Sequence, residues 1–199
     1  MPSAVFVDRD GVLNRMVQGA QGEDSPHRPE DLRLLPGAAA AVRALNERAV
    51  PVVLASNQPG IAKGKATTEL LRATTEKLLR LLAEEGARLD GVYYCLHHPE
   101  AELDEYRVLC DCRKPRPGLL LMASHELGIS LARAFMVGDR MTDVLAGRAA
   151  GCRTVLVGTA DDAAGGGADH LAADLGEAVG WILAQDGDRM PSAIGVPGC

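Results

Sequence analysis

Ala4-Val5-Phe6-Val7-Asp8-Arg9-Asp10-Gly11-Val12 is the stretch whose reading decides the fold. Four apolar residues, two of them β-branched, make a short run of the kind found in fully buried strands. Gly11 then opens a turn immediately after two carboxylates one residue apart. Two like charges so close to a buried strand are costly unless a cation sits between them or one takes up a proton. The pair therefore implies a metal or a proton-transfer role, unless it is an acidic turn that merely caps a strand. The rest of the chain decides between these readings.

Strand-like runs recur at Ala4 to Val7, Val50 to Ala55, Val92 to Cys95, Ala134 to Val137 and Thr154 to Val157. Helical patterns separate them: Pro36-Gly37 through about Arg48, Thr67 to Glu85 ended by Gly86, Pro117 to Leu127 closed by Gly128, and Thr142 to Ala150 closed by Gly151. Alternation of strand and helix predicts an α/β fold, a Rossmann-like parallel sheet with helices on both faces. Ligands of such sheets bind beyond the carboxyl ends of the strands. Asp8 and Asp10 follow the first run, Ser56 and Asn57 the second, Cys95 and His97 the third, and Asp139 and Asp143 the fourth. Parallel strands would gather all four sets along one sheet edge, a convergence that unrelated turns would not produce.

The chain has 199 residues, which suits one core better than two small ones. A single domain is expected over 1–185, including a loop-like segment from Ala160 to Ala168 and a last helix at Ala172 to Ala184, followed by a flexible tail over 186–199. A net charge of -6 with no long basic run argues against nucleic acid and for a small substrate. No apolar stretch reaches the roughly 18 residues of a membrane span, and no signal peptide precedes the first strand. The expectation is a cytoplasmic protein, a monomer without a membrane or nucleic-acid partner. Five cysteines, three of them crowded with histidine, fit metal binding in a reducing compartment better than a disulfide framework.

With these residues in order, the chain resembles the haloacid dehalogenase (HAD) superfamily of phosphatases. Asp8-Arg9-Asp10-Gly11-Val12 matches its first motif, Ser56-Asn57 its second, Lys114 its third, and Gly138-Asp139-Arg140-Met141-Thr142-Asp143 its fourth. Ser56 to Ala62, together with Cys110-Asp111-Cys112-Arg113-Lys114-Pro115, is similar to the branch of heptose 1,7-bisphosphate and histidinol-phosphate phosphatases. The resemblance implies a phosphomonoester hydrolase that removes the 7-phosphate of D-glycero-D-manno-heptose 1,7-bisphosphate, a small phosphorylated sugar, through an aspartyl-phosphate. Histidinol phosphate is the alternative substrate, and a receiver-like phospho-acceptor domain the alternative of another class. The same resemblance implies roles. Asp8 would be the nucleophile and Asp10 the general acid and base. Ser56 and Lys114 would bind the phosphoryl oxygens, and Asn57, Gln58 and Arg113 the substrate. Mg²⁺ would sit on Asp8, Asp139 and the Asp10 backbone carbonyl, with Asp143 supporting this shell. Ser56 stands where threonine is frequent in the family, Leu96 where proline is, and Arg140 where lysine is; none of these removes a needed group.

Cys95-Leu96-His97-His98 and Cys110-Asp111-Cys112 form a second constellation. Three thiolates and one imidazole suit tetrahedral Zn²⁺, although free thiols would have the same spacing. The family branch carries a structural zinc on this loop, so the resemblance implies a zinc-stapled segment at 95–112, with His97 rather than His98 as the fourth ligand. Residues 12 to 49 and 58 to 112 leave no room for a separate cap domain. The cleft would be walled instead by Asn14 to Glu30 and by the zinc-ordered loop.

Overall fold

A computed structural model describes residues 1–19, 22–158 and 167–185. The expected tail at 186–199 and most of the segment at 160–168 lie outside the described residues. Strand β1 (Ala4–Val7) is followed by β2 (Val17–Gly19), β3 (Gly22–Asp24), α1 (Ala38–Asn46), β4 (Val52–Asn57), α2 (Thr68–Glu84) and β5 (Gly91–Cys95). Then come α3 (Gly118–Leu127), β6 (Ala134–Gly138), α4 (Met141–Ala150), β7 (Arg153–Val157), β8 (His170–Ala172) and α5 (Leu175–Ala184). Six strands form one parallel sheet in the order β5-β4-β1-β6-β7-β8. The chain runs outward from β1 to β4 and β5, then returns to β6 on the other side of β1. This reversal makes the carboxyl end of β1 the topological switch point, where open α/β sheets bind ligands.

The side-chain period of two explains why β1 reads as a continuous apolar run. Val5 and Val7 face the helices α1, α2 and α5, whereas Ala4 and Phe6 face the opposite layer with α3. β4 divides in the same way, with Val52 and Leu54 on one face and Val53 and Ala55 on the other. Helix α4 packs tightly on the sheet at Gly147. A methyl group built on Gly147 would stand 2.7 Å from both Met136 Cβ and Thr154 Cγ2, so glycine is what permits this approach.

The helix ends follow their sequence signals. The Thr67 hydroxyl accepts from the Leu70 N–H (3.2 Å) at the start of α2, and Gly128 and Gly151 adopt positive φ after α3 and α4. Two elements depart from the expectation. His170 to Ala172 is a strand paired with Val155 to Val157, so the last helix begins at Leu175 rather than Ala172; a three-residue edge strand carries no period long enough to read. The 14–30 loop contains the antiparallel ribbon β2–β3, in which Gln18 pairs with Glu23, again too short to announce itself. Among the described residues, no helix is long and apolar enough to cross a membrane.

The tight α4 contact yields a first prediction. Gly147→Ala should destabilise the protein by about 1–3 kcal/mol through overpacking against Met136 and Thr154. Denaturant unfolding measures this, and an unchanged midpoint would show that the layer can yield at no cost.

Candidate active site

Register brings the four motif sets together. Val7 of β1 pairs with Leu54 of β4 and Val137 of β6, so Asp8, Ser56-Asn57 and Asp139 leave adjacent strands at one edge. Asn57 in turn pairs with Cys95 of β5. The sequence expectation ended the second strand at Ala55; the strand runs on to Asn57, which places both residues within the last turn of the ladder.

Lys114 reaches into this edge from the loop before α3 and is only 3% exposed. Its Nζ donates to Asp8 Oδ1 (2.8 Å) and to the Ala55 carbonyl (2.8 Å), and pairs with Asp143 Oδ1 (2.5 Å). Burial opposes the charge on Lys114, but Asp8 and Asp143 outweigh it and hold the ammonium above its ordinary range. Asn57 fixes the Lys114 backbone from both sides: its Nδ2 donates to the Lys114 carbonyl (2.9 Å) and its Oδ1 accepts from the Lys114 N–H (3.0 Å). Expected as a substrate ligand, the Asn57 amide is engaged in positioning the lysine.

Asp8, Asp139 and Asp143 each offer an oxygen within 4.8 Å of the others. Three carboxylates beside one ammonium leave two negative charges. Asp139 Oδ1 is buried without a hydrogen-bond partner among the described residues. Burial, then Asp8 and Asp143, push the Asp139 carboxyl up to about 7. Asp143 rises to about 6, with burial dominant and Lys114 opposing it. An orphaned carboxylate oxygen beside a second hard oxygen donor is what a divalent cation such as Mg²⁺ would satisfy. Asp143 also caps α4, where its Oδ2 accepts from the Arg140 N–H (3.0 Å). Gly11 lets Asp139 approach: its φ is +80°, and a Cβ there would lie 2.3 Å from Asp139 Oδ2.

Asp10 has a different environment. Its Oδ1 accepts from Asn14 Nδ2 (2.8 Å) and Arg9 Nε (3.1 Å), and its Oδ2 from Gln58 Nε2 (2.7 Å), Ser25 Oγ (2.8 Å) and Arg9 Nη2 (3.2 Å). Burial would raise its pKa, but Arg9 and the amide donors outweigh burial and hold the carboxyl below the usual range. Arg9 is itself buried and lies 5.9 Å over the ring of Tyr94. Gln58, expected among the substrate contacts, spends its amide on Asp10 and on Ser56 Oγ (3.1 Å). Neither Arg9 nor Asn14 was singled out as a partner of Asp10, because partnership across a turn leaves no spacing rule in the sequence.

The cleft above these groups has a volume of about 340 Å³. Met16, Glu23, Asp24 and Ser25 line one wall, Pro59, Lys63 and Lys65 another, and Arg113 a third. The ribbon wall is tied down by Lys65 Nζ on Asp24 Oδ2 (2.5 Å) and by His27, whose ring covers Gly60. Arg113 donates through Nη1 to the His97 carbonyl (3.1 Å), joining the cleft to the cysteine cluster.

That cluster assembles as expected from the motif. Cys95 Sγ lies 3.6 Å from Cys110 Sγ and 3.3 Å from Cys112 Sγ, and His97 Nδ1 lies 3.4 Å from Cys112 Sγ. The sulfurs are too far apart for disulfides and close to the ~3.8 Å edge of a tetrahedron with Zn–S bonds of about 2.3 Å. His98 turns away; its Nδ1 accepts from the Glu100 N–H (3.1 Å).

Known proteins are similar to this chain in sequence and fold. A model of HAD-hydrolase-like proteins matches residues 111–178. The D-glycero-β-D-manno-heptose-1,7-bisphosphate 7-phosphatase of Salmonella typhi is 37% identical over 192 residues, covering 96% of this chain and 94% of its own. That of Escherichia coli K12 is 36% identical with 96% and 93% coverage. The crystal structure of D,D-heptose 1,7-bisphosphate phosphatase from B. bronchiseptica, complexed with magnesium and phosphate, superimposes with a TM-score of 0.78 at 32% identity, over 92% of this chain and 99% of that one. The Burkholderia thailandensis enzyme superimposes at 0.66 with 28% identity, over 91% and 98%. Fold and site together are those of a HAD-like phosphatase. Within that superfamily, the chain belongs to the family of the heptose 1,7-bisphosphate phosphatases.

The carboxylate cluster predicts a pH effect. An aspartate raised from 3.8 to about 7 keeps a proton in the folded state that the unfolded chain has lost. Metal-free protein should therefore lose stability as pH rises from about 4 to 7, by on the order of 2–4 kcal/mol. Asp10, shifted the other way, acts mainly below this window. Asp139→Asn should flatten the slope, and added Mg²⁺ should reverse it in the wild type alone. Parallel pH profiles for the two proteins in denaturant unfolding would refute the assignment.

Proposed function

We propose that this chain hydrolyses the 7-phosphate of D-glycero-D-manno-heptose 1,7-bisphosphate through an aspartyl-phosphate on Asp8. The observation that carries the reading is the Asp8 carboxylate at the switch point, in contact with a fully buried lysine and next to an orphaned Asp139 oxygen. Relatives of the same length that bear this activity support the choice of substrate.

In the first step an Asp8 oxygen forms a bond to phosphorus while the ester P–O bond breaks. The leaving oxygen keeps that electron pair and takes a proton from Asp10. In the second step water attacks phosphorus, Asp10 takes a proton from it, and the Asp8–phosphorus linkage opens to release inorganic phosphate. Lys114 holds Asp8 and the phosphoryl oxygens in register, and the Ser56 hydroxyl, already accepting from Gln58, donates to the same oxygens. A Mg²⁺ held by Asp8, Asp139 and the Asp10 backbone carbonyl would neutralise the charge between nucleophile and phosphate. Arg113 would contact a polar part of the sugar. The Cys95, His97, Cys110 and Cys112 set would hold a structural Zn²⁺, with all four positions filled by protein and none open to water.

Phosphate release from the α- and β-anomers of the heptose bisphosphate, compared with histidinol phosphate and with and without Mg²⁺, tests the substrate. The expected result is Mg²⁺-dependent release with at least tenfold preference for a heptose bisphosphate; preference for histidinol phosphate would overturn the reading. Asp8→Asn should abolish the phospho-enzyme, whereas Asp10→Asn should retain Mg²⁺ binding and slow phosphoryl transfer by about 10²–10⁴-fold. Complete loss of Mg²⁺ binding in both variants would contradict this division of roles.

For the second metal, purified protein should contain one zinc per chain by elemental analysis, and Cys110→Ser should lose it. That variant should unfold several degrees lower and bind substrate more weakly through displaced Arg113. Retained zinc in Cys110→Ser would exclude this ligand set.

A further inference from the structure

Five donors converge on Asp10, and four of them are N–H groups: two from the Arg9 guanidinium and one each from the Asn14 and Gln58 amides. These groups suit a carboxylate and cannot receive a hydrogen bond through those atoms. The two amide nitrogens each make a second contact, Gln58 Nε2 to Ser56 Oγ (3.1 Å) and Asn14 Nδ2 to the Arg15 carbonyl (3.0 Å), an acceptor that opposes a flip of the Asn14 amide. Ser25 Oγ, 2.8 Å from Asp10 Oδ2, is the exception. A hydroxyl donates or accepts according to its rotation. Among the described residues, Ser25 is also the one partner of Asp10 that lines the cleft, at the end of the β2–β3 ribbon, while Arg9, Asn14 and Gln58 lie buried.

We propose that Ser25 is a positioning residue for proton transfer by Asp10, its hydroxyl reversing direction as the carboxyl gains and gives up its proton. With Asp10 protonated on Oδ2, Ser25 Oγ accepts from that O–H and keeps the proton on the cleft side until the leaving oxygen replaces Ser25 as its acceptor. When the leaving oxygen takes the proton, the Ser25 hydroxyl turns to donate to the new carboxylate, the arrangement seen here. No bond to Ser25 is made or broken. The ribbon thereby acts on chemistry as well as enclosing the substrate. The inference rests on the proposed role of Asp10.

The test is the single-turnover rate of phosphoryl transfer to Asp8, measured by rapid quench at saturating Mg²⁺. Two substrates are compared: the heptose bisphosphate, whose alkoxide must be protonated as it leaves, and p-nitrophenyl phosphate, whose leaving group departs as the anion. Ser25→Ala should slow the first by about tenfold or more, a fraction of what general acid catalysis supplies, and change the second by less than about threefold. KM for the heptose bisphosphate should change little, and Ser25→Thr should restore the rate. Equal losses on both substrates, a loss confined to KM, or no loss would overturn the proposal. Asp10→Asn is the control: if it too fails to distinguish the substrates, the role of Asp10 falls; if only Ser25→Ala fails to, the role of Ser25 alone falls.

Discussion

One buried ammonium holds this site together. Lys114 faces Asp8 and Asp143 at the nearly buried floor of the cleft, and the third acid, Asp139, stands alongside with an unpaired oxygen. Like charges at this density persist only with compensation. Lys114 balances one of the three charges, leaving two for protonation or a divalent cation to neutralise. The same deficit must be met again when a phosphate dianion arrives, so a site able to bind its substrate must first bind its metal. Stability and function thus draw on one electrostatic imbalance, with opposite signs in the metal-free and metal-bound states.

The fold supplies that imbalance through register. Parallel strands on either side of β1 end level with it, and each end is polar because the apolar requirement stops where the helices no longer cover the sheet. Lys114 comes from outside the sheet, which makes its placement harder to secure. Two backbone hydrogen bonds to Asn57 and the cysteine cluster two residues upstream fix the chain there. A metal held there, as proposed, would do for the 95–112 loop what burial does for a strand: it would limit the conformations of a segment with too few apolar contacts to order itself.

Long elements and their ends were legible in the sequence because their signals are local and repeated. β1 is apolar throughout since both of its faces are buried, and the helices after Pro117 and Thr142 are closed by glycines that indeed turn left-handed. The convergence of Asp8, Ser56, Asp139 and the cysteine loop followed from the parallel direction implied by alternating strands and helices. What escaped was either too short or too distant. β8 and the ribbon have three residues each, below any readable period. The partners of Asp10 come from residues 9, 14, 25 and 58, and no spacing predicts that an arginine adjacent in sequence folds back on its neighbour's carboxylate. The resemblance marked Gln58 and Asn57 as polar groups near phosphate but could not assign their amides to Asp10 and Lys114.

The two acids of the opening motif differ because their surroundings do. Asp8 points to a lysine and two acids, a setting that favours a shared cation and leaves an oxygen to attack. Asp10, two residues on, turns into a fork of guanidinium and amide donors that stabilise its anionic form. A carboxyl so well satisfied is a strong acid once it carries a proton, which favours giving that proton up. Regaining it from water in the second step is correspondingly harder, unless one donor can be withdrawn. Four of the five are N–H groups of buried side chains. The remaining hydroxyl sits on the ribbon over the cleft, where an incoming substrate could reorder it. In the proposed mechanism the adaptability of Asp10 is thus concentrated in the cleft wall, and the rest of its environment stays fixed.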